Sequence, residues 1–243
     1  MLASRHFACF LSGILLMLGS AAWADTVHLA SNEKATEQGI ATLLIKDIYA
    51  RAGHTAKIEP LPGLRATALV LAGEKDGEVA RVLTYANRNP GLIKVDPPYY
   101  YLSTTAFAKT NSGIRIQSAS DLKKYRVGVV RGIAHAEAAT AGLARVEIAN
   151  DYQSLYRMLD KDRIDVAVDT SVNGPVVLQQ LGLPGISAAG EIARLDLFHM
   201  LHGRKAELAP AIGATIKSLK DSGELLRTTQ RLEAEFLKNG PPH

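Results

Sequence analysis

The sequence predicts an α/β protein organised in two lobes. Short β-rich runs alternate with amphipathic helical stretches from Val27 onward, as in chains that fold around a mostly parallel sheet. The alternation comes as two series, separated by the polar stretch Thr110-Asn111-Ser112-Gly113. Apolar residues make up 47% of the 243, which argues against disorder and is enough for one large domain or two small ones with proper cores.

In the first series Val27-His28-Leu29-Ala30 reads as a strand. Ile40, Leu43, Leu44 and Ile48 then recur at helical spacing up to Gly53, where a helix C-terminal glycine belongs. Ala56 to Leu61 is strand-like, Pro62-Gly63 is a turn, and Arg65 to Leu71 is a helix closing at Gly73. Gly77 to Leu83 and Leu92 to Val95 are further strands, followed by Pro97-Pro98-Tyr99-Tyr100-Tyr101 and a β-rich run to Ala108. The second series opens with a short helix at Ser120-Asp121-Leu122. It continues with strand Arg126 to Val130, helix Ala134 to Ala141 and strand Arg145 to Ile148. Leu155, Met158 and Leu159 mark a helix, Ile164 to Val168 a buried strand and Val176 to Leu181 another helix; Gly185 to His202 holds one or two strands. Leu208, Ile212, Ile216 and Leu219 share one face of a terminal helix, which breaks at Gly223 and resumes with Leu225, Leu232 and Phe236.

The first 24 residues follow another logic. Arg5-His6, an apolar run from Phe7 to Leu18 and Gly19-Ser20-Ala21-Ala22-Trp23-Ala24 are the three parts of a cleavable secretory signal peptide, with cleavage expected after Ala24. The apolar run is about a dozen residues, short of the roughly 20 that a membrane-spanning helix needs. The mature chain is then expected to begin at Asp25 and to work in the periplasm. The single cysteine, Cys9, lies in the leader, which excludes disulfides, cysteine-ligated zinc and a cysteine nucleophile from the mature chain. The formal charge of +4 is scattered rather than clustered, and with the leader this argues against a nucleic-acid partner.

Five segments carry a resemblance. Asp121-Leu122-Lys123-Lys124-Tyr125-Arg126-Val127-Gly128-Val129-Val130-Arg131-Gly132 resembles the "DLKGKxVGVxxGT" opening of the second lobe in periplasmic solute-binding proteins of the amino-acid-binding kind. Leu159 to Val168 is similar to that family's "LxxGRxDAVV", and Lys217 to Leu225 to its C-terminal "xxLKxxGxxxxI". In the first half Leu71-Ala72-Gly73-Glu74-Lys75-Asp76-Gly77 resembles "LxxGxxDxxxxG", and Val95-Asp96-Pro97-Pro98-Tyr99 resembles "VxFSxPY". The matches keep the family's order from about Leu71 to Leu225. The resemblance implies two α/β lobes joined by two crossing segments, the first of residues 25–108 plus 190–243 and the second of residues 109–189. It also implies a ligand cleft between them, a monomer without cofactor or catalytic activity, and a membrane permease or a sensor as partner.

Ligand chemistry is expected at strand-to-helix turns, because α/β sheets bind ligands beyond the carboxyl ends of their strands. After Arg126–Val130 the turn Arg131-Gly132-Ile133-Ala134-His135 offers backbone N–H groups and a helix N-terminus to an anion, with Gly132, Ile133 and His135 as contacts. The family's Gly-Thr-Thr has become Gly132-Ile133-Ala134 here, so two hydroxyl donors are lost. The resemblance implies a first-lobe arginine on the ligand carboxylate. Counting twelve residues from Asp76 lands on Arg88, with Arg81 and Arg65 as alternatives; a guanidinium suits the task through its two parallel donors. The family's ammonium-binding acid falls on Thr170, so the role passes to Asp169, expected at the end of its strand. The first-lobe loop is short, Ser31 to Thr36, and places Asn32 and Glu33 among the contacts; Tyr99, with Tyr100 and Tyr101, is a candidate aromatic wall or hinge packing. His199 and His202 lack further ligands at workable spacing, so no metal is expected. Two rival readings stand beside this one: a dehydratase-like enzyme using Glu33, Glu78 and His135, and a two-lobed interaction or sensor protein without a transport role.

Overall fold

The computed structural model describes residues 25–33 and 36–239, so the signal peptide expected over residues 1–24 lies outside the described residues. The first half contains strand β1 (Thr26–Asn32), helix α1 (Thr36–Arg51), β2 (Thr55–Leu61), α2 (Gly63–Leu71), β3 (Gly77–Val82) and α3 (Leu83–Arg88). A long strand, β4 (Leu92–Lys109), leads into the second half: β5 (Val127–Val130), α4 (Ala134–Ala139), β6 (Val146–Ala149), α5 (Tyr152–Asp160), β7 (Val166–Thr170) and α6 (Asn173–Leu181). A second long strand, β8 (Ile186–His202), returns to the first half, where α7 (Ala209–Asp221) and α8 (Glu224–Asn239) close the chain. Among the described residues no helix is long and apolar enough to cross a membrane.

Local chemistry explains the element ends. On α1 the buried Ile40, Leu44, Ile45, Ile48 and Tyr49 form one stripe, and Gly53 at φ +83° ends the helix with His54 N–H donating to Tyr49 O at 2.9 Å. Asp151 caps α5 by accepting from Ser154 N–H at 2.7 Å. Gly182, left-handed at φ +64°, ends α6, with Leu183 N–H reaching Leu178 O at 3.0 Å.

All eight strands form one sheet in the order β2-β1-β3-β8-β4-β7-β5-β6. β1, β2 and β3 are mutually parallel, as are β5, β6 and β7, while β4 and β8 run antiparallel to each other through both groups. β3 is antiparallel to β8, and β7 is antiparallel to β4. The carboxyl ends of the parallel strands in each half therefore point at the other half. The β4–β8 ladder runs from Leu92 opposite His202 to Lys109 opposite Ile186, so this ribbon is the covalent link between halves.

The expected break between Leu92–Val95 and the following run is a bulge inside one strand. Val95 pairs with His199 and Tyr100 with Leu197, leaving Asp96 to Tyr99 looped out opposite Phe198. Pro97 and Pro98 have no N–H to give to the ladder, which accounts for the bulge. Gly185–His202, expected as one or two strands, forms a single strand over Ile186–His202. Helix α3 falls in a segment with no expected element.

Two packed layers cover each half of the sheet. In the first half α1, α7 and α8 bury Leu29, Ile40, Ile45, Leu201, Ile212 and Phe236 on one face, and α2 and α3 cover Ala30, Ala66, Val70 and Met200 on the other. In the second half α5 and α6 cover Phe107, Leu155, Ile164 and Ala167, and α4 covers Val129, Ala136 and Val166. Val172 and Val176, at the start of α6, join the first-half core, so the halves touch along α1 and α6.

Candidate functional site

Between the halves lie the ends of β1 and β3 on one side and of β5 and β7 on the other, with the helices that follow them. The halves meet directly where the Thr36 hydroxyl, at the start of α1, donates to Asn173 Oδ1 at 2.8 Å at the start of α6. Beside this bond Glu37 is only 5% exposed. Burial pushes its carboxyl above the ordinary range, more than the hydrogen-bonding Thr170 side chain pulls it down, and the charge of Glu233 adds to the rise. Its Oε1 has no hydrogen-bond partner. The Tyr100 and Tyr101 hydroxyls both donate to Glu233 Oε1, at 3.1 and 2.8 Å.

Asp169 lies behind Thr170, 0% exposed. It accepts from Tyr156 Oη at 3.0 Å, from Asn173 Nδ2 at 2.9 and 3.1 Å, and from Thr170 N–H at 2.7 Å. Burial raises its pKa to about 7 against these donors, and the Glu37 charge contributes in the same direction. The expectation that Asp169 escapes strand alternation at the end of its strand is corrected here. It sits within β7 and points into the second-half core, while Thr170, the next residue, is the one associated with Glu37.

In the first half, Glu78, the second residue of β3, is 1% exposed and accepts from Arg81 Nε and from the Tyr85 hydroxyl. Arg81 also donates through Nη2 to Thr67 Oγ1 at 3.3 Å and to Gly63 O at 3.4 Å, and its guanidinium lies 4.8 Å from the Tyr85 ring centre. Burial, then the Glu78 hydrogen bond, raises the Tyr85 pKa to about 12. This knot ties β3, α2 and α3 together and fixes Arg81. Arg65 is exposed on α2, and Arg88 is exposed in the last turn of α3, about 9 Å of helix from its start. The three candidate arginines are thus on three different elements.

The turn after β5 differs from expectation. Gly132 adopts φ +76°, but its N–H donates to the carboxylate of Glu137 at 2.7 Å, so the chain's own acid occupies the donor reserved for a ligand anion. Ile133 packs against both second-half cores. His135 Nδ1 is 3.1 Å from the Thr104 hydroxyl on β4, and burial lowers its pKa to about 4, which keeps it neutral. In the first-half loop, a Cβ on Gly63 would stand 3.4 Å from the Asn32 amide, and exposed Glu33 donates its N–H to Leu61 O at 3.0 Å. Tyr99 is no cleft wall: it is buried in the first-half core with its hydroxyl donating to Val79 O at 2.9 Å.

His199 is committed on both nitrogens. Its Nε2 is 2.8 Å from the Tyr49 hydroxyl and its Nδ1 2.9 Å from Glu78 O, so the proton sits on Nδ1 and Tyr49 donates. Among the described residues no group of three or more His, Cys, Asp or Glu side chains is placed to hold a metal ion.

Sequence reasoning missed Glu37, Tyr156, Asn173 and Glu233. For Glu37 the signal is present: Glu37, Ala41, Leu44 and Ile48 follow helical spacing, which puts an acid on the buried face of α1. The others are brought together only by tertiary packing.

No family model matches the sequence. An uncharacterized protein of Shewanella oneidensis is 26% identical over 203 residues, covering 81% of this chain and 76% of that one. The L-cystine solute receptor of Neisseria gonorrhoeae, unliganded and open, aligns with a TM-score of 0.68 at 15% identity, over 86% of this chain and 93% of that one. Substrate-binding domain 2 of Lactococcus lactis GlnP, also open, gives 0.67 at 20% identity, over 86% and 96%. A histidine kinase sensor domain similar to periplasmic binding proteins gives 0.62 at 17% identity, over 85% and 95%. With the paired halves, the opposed strand ends and the double crossing ribbon, these likenesses establish that the chain has the two-lobed periplasmic-binding-protein fold of the amino-acid solute-binding proteins.

Proposed function

We propose that the mature chain is a periplasmic solute-binding protein that captures a small, carboxylate-bearing, amino-acid-like ligand between its lobes and presents it to a membrane permease or a sensor. The observation that carries this reading is the buried polar seam across the cleft: Thr36 bonded to Asn173, with Glu37 beside Thr170. Polar groups are costly to bury and are found where something uses them. The lobes of this proposal are residues 25–108 with 190–243, and residues 109–189. A solute receptor, a substrate-binding domain and a histidine kinase sensor domain all share the fold, which supports both uses.

Arg81 is the arginine best prepared for a ligand carboxylate. Glu78 holds its Nε, and Thr67 and Gly63 take its Nη2, which leaves Nη1 near the end of β3 for the ligand. Arg88 is the alternative. The enzyme reading needs Glu33, Glu78 and His135 around one substrate, whereas Glu78 is already engaged by Arg81 and Tyr85.

Calorimetry with a hit from a thermal-shift screen of amino acids and organic acids tests this. Arg81→Ala or Arg88→Ala is expected to weaken binding about tenfold to a hundredfold, the size of a charged hydrogen bond. A change under about twofold in both variants defeats the carboxylate assignment. No shift from any compound favours an interaction protein.

A further inference from the structure

At one level the link between the halves is only two strands wide. β3 pairs with β8 as far as Val82 opposite Leu197, and β7 pairs with β4 from Thr104 opposite Thr170 onward. Between these limits β4 and β8 have only each other, from Tyr101 opposite Asp196 to Ser103 opposite Arg194. Side chains alternate across this neck. Thr104 meets His135 of α4 on one face, whereas Tyr101 sends its hydroxyl to Glu233 of α8 on the other.

A pocket of about 320 Å³ opens on that second face, a volume within the range of small-molecule sites. The neck supplies Tyr101, Arg194 and Asp196, and the end of α7 and start of α8 supply Lys220, Leu225 and Leu226. Arg81 belongs elsewhere: it is tied to α2 and α3, which cover the opposite face of the sheet from α7 and α8.

The lining joins apolar surface to unbalanced charge. Leu226 is 60% exposed, and the Tyr100 and Tyr101 ring centres are 5.1 Å apart. The Arg194 guanidinium lies 4.0 Å from the Tyr101 ring centre, and its ion pair with Glu191, at 3.3 Å between two exposed side chains, holds it weakly. Lys220 donates to a neutral acceptor, Pro98 O at 3.0 Å, and enters no salt bridge among the described residues. Asp196 is the one acid of the lining. Two cations against one acid leave a single positive charge, which a single negative charge balances.

We propose that this pocket binds a small aromatic monocarboxylate, with the carboxylate on Lys220 and Arg194 and the ring against Tyr101, Leu225 and Leu226. The guanidinium and the ammonium both give charge-assisted hydrogen bonds to a carboxylate, and the aromatic and leucine side chains cover the ring. The inference goes beyond the solute-binding reading and needs no group of the cleft. An occupant touches both strands of the neck and both closing helices of the first half at once.

The probes are phenylacetate, 3-phenylpropionate and the amine phenethylamine, titrated into the mature chain by ligand-observed NMR. Wild type is compared with Lys220→Gln, Leu226→Glu and Arg81→Ala. Lys220 and Leu226 are exposed, so the first two variants should fold as wild type does. Both acids are expected to bind wild type, and phenethylamine at least tenfold more weakly. Lys220→Gln should weaken the acids about tenfold, the size of a charged hydrogen bond, and Leu226→Glu by at least as much, because it removes an apolar wall and sets a like charge there. Arg81→Ala should leave them within twofold. The proposal is overturned if neither acid binds, if the amine binds as tightly as the acids, or if Lys220→Gln and Leu226→Glu both stay within twofold. Weakening by Arg81→Ala as large as that by Lys220→Gln places the acids in the cleft, which overturns this site and leaves solute binding standing.

Discussion

Replacing Asp169 by Asn should change how stability depends on pH more than it changes stability at any single pH. The folded protein holds this carboxyl at a pKa of about 7 against an ordinary 3.8, with burial as the main cause. Between those values the unfolded chain has released the proton and the folded chain has kept it. Linkage then requires wild-type stability from this group to be greatest below pH 3.8 and to fall as pH rises to about 7. Three units at about 1.4 kcal/mol each set an upper bound of roughly 4 kcal/mol on that loss. Two histidines act in the opposite sense: burial lowers His135 and His199 to about 4, so their contribution rises with pH over the lower part of the same window. Comparing wild type with Asp169→Asn at each pH cancels the histidines. The amide also sets an NH2 group against the Asn173 amide donor, which adds an offset independent of pH. Urea unfolding at pH 4, 5, 6, 7 and 8 gives the difference. Wild-type stability minus that of the variant should fall steadily from pH 4 to 7 and level off, with Glu37 adding to the slope through its coupling to Asp169. A difference flat to within about 0.5 kcal/mol across that range would refute the argument that burial holds a proton on this carboxyl.

Tyr49→Phe removes the donor to His199 Nε2 and leaves a buried imidazole nitrogen unsatisfied; chemical denaturation should show a loss of about 1–3 kcal/mol with the fold retained. Gly190→Ala should abolish soluble folded protein or cost about 3 kcal/mol or more, because a Cβ there would stand 1.7 Å from the Ile116 carbonyl oxygen at φ +155°. Gly142→Ala, also at positive φ but with nothing within 4 Å, should cost only about 1–2 kcal/mol, and equal losses in the two melting curves would contradict the steric account.

The order of elements was legible because each strand and helix of ordinary length carries its own period. Val27–Ala30, Ile40–Ile48 and the Leu208–Phe236 face all lie in elements of the expected type. Helix α3 was not, since six residues give less than two turns and leave no period to read. The crossing ribbon was half legible: its apolar runs were evident, but Pro97 and Pro98 read as an interruption where the chain loops out and rejoins the same strand. The site was harder still. Spacing located the turns after β5 and β7, yet it could not tell that Glu137 satisfies Gly132 or that Asp169 is occupied by Tyr156 and Asn173. Glu137 and Asn173 lie only five and four residues from the groups they bond, so their types were in view but not where they turn; Tyr156 comes from packing of α5 on β7, which a one-dimensional pattern does not encode.

The seam also bears on how firmly the lobes hold each other. The direct hydrogen bond across it, Thr36 to Asn173, is worth about 0.5–1.5 kcal/mol net. Val172 and Val176 gain apolar burial against the first-half core, up to about 1.5–3 kcal/mol each. Against these stand the desolvation of Glu37 and its unpartnered oxygen, about 1–3 kcal/mol, and the charge of Glu233 near it. The apolar and hydrogen-bonded contacts outweigh the cost of the one unpartnered oxygen, so the seam holds the halves together without a ligand. Opening the seam then takes a ligand or partner that gains more from the open arrangement than the seam loses, because a population moves only by the difference in contacts between its two states.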